Sequence, residues 1–81
     1  MFMSIRILFF GATSSITGKR QIAVELNETL NAQQIFDQLI AEYPSLAAHR
    51  LLFSVNQQYA TGAEPLKDGD ELAIFTAVSG G

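Results

Sequence analysis

The chain has 81 residues, with five Lys and Arg, eight Asp and Glu, and no cysteine. This length suits a single domain, since domains commonly span about 100–200 residues. The lack of cysteine excludes disulfides, thiolate nucleophiles and zinc–thiolate sites. A net charge of −3 argues against nucleic acid as a partner, because no basic stripe is present to neutralise phosphates, and it suits a basic protein partner.

Apolar runs in the chain are too short for targeting or membrane insertion. The run near the N-terminus, residues 7–12, has six residues, whereas a secretory segment needs about 7–15 and a transmembrane helix about 20. The residues before it, 1–4, carry no positive charge. The sequence therefore predicts a cytoplasmic protein that does not bind membranes.

Two strands are predicted in the N-terminal third. Residues 4–10 are rich in β-branched and aromatic side chains, and residues 21–26 alternate apolar with polar. Between them, residues 11–18 are turn formers and predict a flexible hairpin loop. The faces expected inward carry Ile5, Ile7 and Phe9 on the first strand and Ile22, Val24 and Leu26 on the second.

A change of period predicts one amphipathic helix. Apolar side chains recur at helical spacing from Ala32 to Tyr43. Asn31 can cap the N-terminus, and Gln34 stands where the reciprocal partner of a capping box belongs. Pro44 disfavours a helical Tyr43, so the helix is expected to end there.

The remaining chain predicts two more strands. Residues 51–56 read as a strand, 57–65 as an irregular crossing, and 71–75 as the last strand after a turn. One helix between a hairpin and further strands of the same sheet indicates an α+β domain of the ubiquitin-like β-grasp type, with the helix across one face of a mixed sheet. The other face is left to water or to a partner.

No motif predicts catalysis by the chain alone. The segment from Gly11 to Gly18 has the wrong spacing for a phosphate loop and leads into a strand. His49 is the only histidine, and a surface or helix-end role fits it better than that of a general base. Asp68 and Asp70 flank a glycine in a turn, where carboxylates commonly accept from backbone N–H groups. No metal site is expected.

The C-terminus ends in two glycines. We expect a β-grasp domain over residues 1–75 and an extended tail over 76–81, whose six residues can reach about 20 Å. Because glycine has no Cβ, the last two residues fit a slot too narrow for other residues. The carboxylate of Gly81 becomes the most accessible reactive group.

These features resemble a known family. Residues 66–75 followed by 78–81 resemble the C-terminal signature of the small subunit of molybdopterin synthase, and residues 55–57 and 7–12 resemble the same family. The likeness runs over nearly the whole chain. That family usually has two prolines before its Val-Ser-Gly-Gly end, and here Thr76 and Ala77 stand in their place.

The resemblance implies a sulfur carrier that is not catalytic alone. Gly81 would be adenylated by an ATP-dependent activating enzyme, converted to a thiocarboxylate, and used to deliver sulfur to a cyclic pyranopterin phosphate in molybdenum cofactor biosynthesis. ATP would belong to the activating enzyme, so no cofactor is expected on this chain. The large synthase subunit, expected in a heterotetramer, would receive a tail consisting of Val78, Ser79, Gly80 and Gly81.

Other functions remain open at this stage. The carrier could serve thiazole synthesis for thiamin or tRNA thiolation; the chain could be a ubiquitin-like protein modifier; or it could be a binding module that makes no use of its tail. If the inward faces are as predicted, the opposite sheet face carries apolar side chains that are expected to bind a partner. These residues are Leu8, Phe10, Phe75 and, from the crossing segment, Tyr59.

Overall fold

The computed structural model describes residues 3–76, which form one mixed five-stranded sheet with a helix packed on one face. This is the α+β architecture predicted from the sequence. The elements in chain order are β1 (Met3–Phe9), α1 (Ala12–Thr17), β2 (Gln21–Leu26), α2 (Ala32–Glu42), a 3₁₀ helix (Pro44–Ala48), β3 (Leu51–Val55), β4 (Gln58–Tyr59) and β5 (Glu71–Thr76).

The last strand lies in the middle of the sheet. The strand order is β2-β1-β5-β3-β4. β1 and β2 form the predicted antiparallel hairpin. β5 runs parallel to β1, with Ile7 opposite Leu72, and antiparallel to β3, with Phe75 opposite Leu52. The C-terminal end of β5 is therefore held between the end of β1 and the start of β3.

The hydrophobic core fills the space between the sheet and α2. The inward-facing residues of β1, which were predicted, and those of β5 are all at most 2% exposed. They are Ile5, Ile7, Phe9, Leu72 and Ile74. From α2, Ala32, Ile35 and Leu39 are buried against them, which confirms the helical stripe. Burial of this apolar surface is the main favourable contribution to the fold.

The N-terminus of α2 has its backbone donors satisfied. The side chain of Asn31 accepts from Gln34 N–H at 2.8 Å, and Gln34 Oε1 accepts from Asn31 N–H at 2.9 Å, so the predicted capping box is confirmed. The first two N–H groups of the helix donate to the carbonyls of Glu64 and Gly62. The helix ends at Glu42, next to the predicted stop. The 57–65 crossing is thereby fastened to α2.

The prediction of a flexible loop over residues 11–18 is wrong. This segment contains the short helix α1, which ends at Thr17 and is capped by Gly18 in a left-handed conformation, φ 74°. Thr13 is fully buried and Thr17 is 9% exposed. Small hydroxyl side chains favour turns when a segment is considered alone, but here they bond to backbone carbonyls of the domain.

The crossing segment contains the short strand β4, which the sequence did not reveal. β3 and β4 are joined by a two-residue turn in which Asn56 has φ 51° and Gln57 has φ 70°. Positive φ at both central residues is the geometry of the type I′ turns that join tight hairpins. Between residues 3 and 76, no helix is long and apolar enough to cross a membrane.

Candidate functional site

The candidate site begins at the C-terminal end of β5. Thr76, expected as the first residue of the tail, is instead the last residue of β5 and pairs with Leu51. The other residues predicted to carry the function, Val78, Ser79, Gly80 and Gly81, lie outside the described residues. The structure therefore defines the position of Thr76, the residue that precedes them in the chain.

The C-terminal end of β5 is anchored by the buried hydroxyl group of Thr13, which belongs to α1. Thr13 Oγ1 lies 3.0 Å from the carbonyl oxygen of Ile74 and 2.7 Å from that of Phe10. Phe10 N–H also donates to the Ile74 carbonyl at 3.0 Å. Because Thr13 is fully buried, water does not compete for these contacts. Strand β5 is thus anchored at Ile74, two residues before Thr76.

The start of β5 is held by the turn that carries Asp68 and Asp70. Asp68 accepts from Ser4 N–H at 2.7 Å, and Asp70 accepts from Lys67 N–H at 2.7 Å. Asp70 also accepts from the Asn56 amide at 3.0 Å, and Asn56 Oδ1 accepts the first N–H of β5 at 3.0 Å. The prediction that these carboxylates serve backbone N–H groups is confirmed, and both ends of β5 are pinned.

The sheet face opposite α2 carries a group of apolar side chains, here called the open-face patch. It consists of Leu8, Phe10, Leu52, Tyr59 and Phe75. Phe10 is 51% exposed, Leu52 40% and Tyr59 80%, while Leu8 and Phe75 are half-buried. The Tyr59 and Phe75 rings are in tilted contact, with centroids 5.9 Å apart. The patch lies beside the end of β5, so a partner that covers it would also meet Thr76.

Leu52 belongs to this patch but was not predicted. The run Leu51-Leu52-Phe53 is continuously apolar, so its sequence shows no alternation from which a face can be read. Leu51 and Phe53 pack against the core. Leu52 lies opposite Phe75 on the neighbouring strand. Side chains alternate strictly between the two faces of a strand. Pairing β3 with β5 would therefore have placed Leu52 on the same face as Phe75.

A shallow cavity of about 480 Å³ borders the patch where β1 passes into α1. Its walls include Leu8, Phe10 and Ser14, and its polar side is formed by Arg20 and Gln21. Residues 3–76 contain no group of three or more metal-binding side chains. His49 is exposed at the end of the 3₁₀ helix, as predicted. Over this part of the chain, the site consists of exposed apolar side chains and a cavity beside the end of β5.

Comparisons with known proteins agree on one family. The model of the ThiS family matches residues 7–81. The molybdopterin synthase sulfur carrier subunit of Chlamydomonas reinhardtii is 34% identical, over 98% of this chain and all of that protein. The subunit of the same name from Mycobacterium tuberculosis is 33% identical, over 98% of this chain and 99% of the relative.

Solved structures show the same fold. The Haloferax volcanii HVO 2177 protein superposes with a TM-score of 0.86 at 22% identity, covering 99% of this chain and 88% of that protein. The crystal structure of SAMP1 from Haloferax volcanii gives 0.81 at 25% identity, covering 96% and 99%. The predicted ubiquitin-like β-grasp fold is confirmed, and so is the similarity to the small subunit of molybdopterin synthase. The chain belongs to the ThiS family.

Proposed function

We propose that this protein is the sulfur carrier subunit of a molybdopterin synthase, in which the carboxylate of Gly81 carries the sulfur. The observation that carries the proposal is the Val-Ser-Gly-Gly terminus, which follows a central strand pinned at both ends. Full-length relatives with the name of that subunit support it. The five residues after Thr76 span at most about 17 Å, enough to enter a partner's active site.

The proposed chemistry follows from the poor reactivity of a carboxylate. The Gly81 carboxylate attacks the α-phosphate of ATP on an activating enzyme and displaces pyrophosphate. A persulfide sulfur then displaces AMP from the acyl-adenylate, and a thiol cleaves the S–S bond of the resulting acyl disulfide, which releases the thiocarboxylate and leaves a disulfide on the donor. The thiocarboxylate sulfur attacks a ring carbon of the cyclic pyranopterin phosphate on the large subunit and displaces the oxygen substituent of that carbon, either a phosphate oxygen or a hydroxyl lost as water. Hydrolysis of the resulting acyl link leaves sulfur on the pterin and restores the Gly81 carboxylate. ATP binds the activating enzyme.

The open-face patch is the proposed docking surface for the large subunit and the activating enzyme. Aromatic and aliphatic side chains that are exposed together are typical of the centre of a protein interface. In the patch, Phe75 is one residue from the end of β5 and contacts Tyr59. A partner seated there would therefore lie directly over the exit of the tail.

The docking surface is tested with Phe75→Arg. Because Phe75 is half-buried on the open face, we expect the domain to fold and its affinity for the large subunit to fall by at least about 30-fold, as for a central interface residue. Gln38→Arg, on the exposed side of α2, adds the same charge away from the patch and serves as the control. Loss of cooperative unfolding in Phe75→Arg would place Phe75 in the core and contradict the assignment.

The carrier function is tested by intact-mass analysis after incubation with the cognate activating enzyme, ATP and a sulfur source. We expect a mass gain equal to sulfur replacing one oxygen, located on the C-terminal peptide. Deleting Gly81 or adding one residue after it should abolish this product, since the reactive carbonyl would move by about 3.5 Å. Equal product from the truncated chain would contradict the proposal. A terminus found joined to lysine side chains would indicate a protein modifier instead.

A further inference from the structure

One edge of the sheet is a long strand with free backbone groups. Phe9 N–H donates to Arg20 O at 2.9 Å, which sets the alternation of hydrogen bonds between β1 and β2. The N–H and C=O groups of Gln21, Ala23 and Glu25 therefore point away from β1. Among residues 3–76, β1 is the only strand paired with β2. Three residues of β2 are thus ready to pair with another strand.

The two edges of the sheet differ in how they are protected. β4, at the other edge, has only two residues, and very short edge strands are a common protection against pairing. β2 has six residues, contains no proline and pairs with β1 without a bulge. Glu25 is its only charged residue. Apart from Glu25, β2 thus lacks the features that natural sheets use to prevent association at an edge.

We propose that β2 binds β2 of a second copy of this chain, antiparallel and about a two-fold axis through Ala23. In this register Ala23 lies opposite Ala23 of the second copy, and Gln21 lies opposite Glu25. All three outward-facing residues then enter hydrogen-bonded pairs, each of which exchanges two N–H···O bonds. A shift by two residues leaves only two such pairs within β2. The register centred on Ala23 is therefore the one that satisfies the edge fully.

The side chains of β2 are complementary in that register. On the open face, the Gln21 amide meets the Glu25 carboxylate of the second copy, and this contact occurs twice. On the core face, Ile22 meets Val24 of the second copy; both are half-buried in one chain and become covered in the pair.

Charge favours the same antiparallel arrangement. Lys19 and Arg20 precede β2, whereas Glu25 and Glu28 lie at or after its end. Antiparallel pairing places the basic start of one strand beside the acidic end of the other, with Lys19 diagonally opposite Glu25. A parallel arrangement would instead place like charges side by side. The second copy is thus a better occupant of this edge than an unrelated extended peptide.

The paired form is compatible with the proposed function but does not depend on it. The two sheets would join into one continuous sheet, with both open faces on the same side. Most of the open-face patch lies across the sheet from β2, on or beside β3 and β5, and in each copy β1 separates β5 from the paired edge. Each copy could still present its C-terminus to a partner.

The inference is tested by sedimentation equilibrium over a wide concentration range, with the wild type expected to show a monomer–dimer equilibrium. Ala23→Pro removes an outward N–H from each copy but no bond to β1, so each chain should fold while dimer affinity falls by about 10- to 100-fold. Ala23→Thr retains the N–H and is the control. Amide exchange in wild-type Ala23 should slow as concentration rises.

A charge exchange provides a second test that does not alter the backbone. Glu25→Lys should weaken dimerisation, because it places a second positive charge beside Lys19 of the other copy, and combination with Lys19→Glu should restore it. A wild type that stays monomeric at millimolar concentration would overturn the inference. So would dimers unaffected by both Ala23→Pro and Glu25→Lys, or binding of β2 only to unrelated peptides.

Discussion

Replacing Thr13 by Val tests whether α1 fixes the end of β5. The two side chains have nearly the same shape and similar helix propensity, so the substitution removes the hydroxyl and leaves α1 otherwise unchanged. The hydroxyl contacts two carbonyl oxygens, those of Phe10 at 2.7 Å and Ile74 at 3.0 Å. A methyl group in its place would stand too close to both, so the end of β5 would have to move away from α1.

The expected cost follows from these contacts. A buried hydrogen bond contributes about 0.5–1.5 kcal/mol, and displacing the carbonyls adds to the loss. We expect Thr13→Val to lower the free energy of unfolding by about 1–2 kcal/mol. One kcal/mol corresponds to about 4–8 °C in the Tm of a domain of this size. Ile74 keeps its bond from Phe10 N–H, so the strand should loosen at its end rather than detach.

The assay combines urea unfolding with amide hydrogen exchange of β5. Thr13→Ser retains the donor and should recover most of the stability. Thr17→Val removes the other buried threonine hydroxyl, which bonds within α1 and to Lys19 but not to β5. It should leave exchange of Phe75 and Thr76 unchanged. Thr13 would not anchor the end of β5 if Thr13→Val had the same free energy of unfolding as the wild type. The same would follow if Thr17→Val increased amide exchange of β5 equally.

Three further predictions concern turns and loops. Gln57→Gly should raise the free energy of unfolding by about 0.4–1 kcal/mol, because glycine accepts φ 70° without strain; unchanged urea stability would contradict it. Gly62→Ala should lower it by about 1–3 kcal/mol, since φ is +107° and the new Cβ would lie 3.1 Å from a side chain of α2. Gly69→Ala, at φ +86° in open space, is the control and should cost less. The pKa of Glu64 is lowered below the ordinary 4.5, because its carboxylate accepts from the N–H groups of Thr61 and Gly62. This stabilisation is present above pH 4.5 and is lost as the pH falls through the lowered pKa, so the advantage of the wild type over Glu64→Gln should shrink on acidification; a constant advantage in urea unfolding would contradict this.

The strands and the main helix were predictable because local sequence and tertiary structure agree in them. Period-two alternation placed Ile5 and Ile7 in the core, and helical spacing placed Ile35 there. Asn31 with Gln34 marked the helix start because a capping box is a local device. In the main helix, the residues that mark the start are near each other in sequence, so the sequence alone was sufficient there.

Two of the features missed, α1 and the exposure of Leu52, depend on distant contacts, whereas β4 pairs with its sequence neighbour β3. α1 is short and made of turn formers, and the bond from Thr13 to Ile74 spans 61 positions in the chain. The exposure of Leu52 follows from its pairing with Phe75, which no local pattern reveals. The open-face patch was therefore predicted in part. Leu8 and Phe75 lie on strands whose side chains alternate clearly between the two faces, whereas Leu52 does not.

Transfer of sulfur out of the chain tests the central claim most directly. The thiocarboxylated protein would be mixed with the large subunit of molybdopterin synthase and the cyclic pyranopterin phosphate, and its intact mass followed over time. The account predicts that the sulfur at Gly81 is replaced by oxygen in step with formation of the pterin dithiolene. A thiocarboxylate that persists in this mixture, but is consumed when a thiazole synthase and its substrates are supplied, would contradict the account.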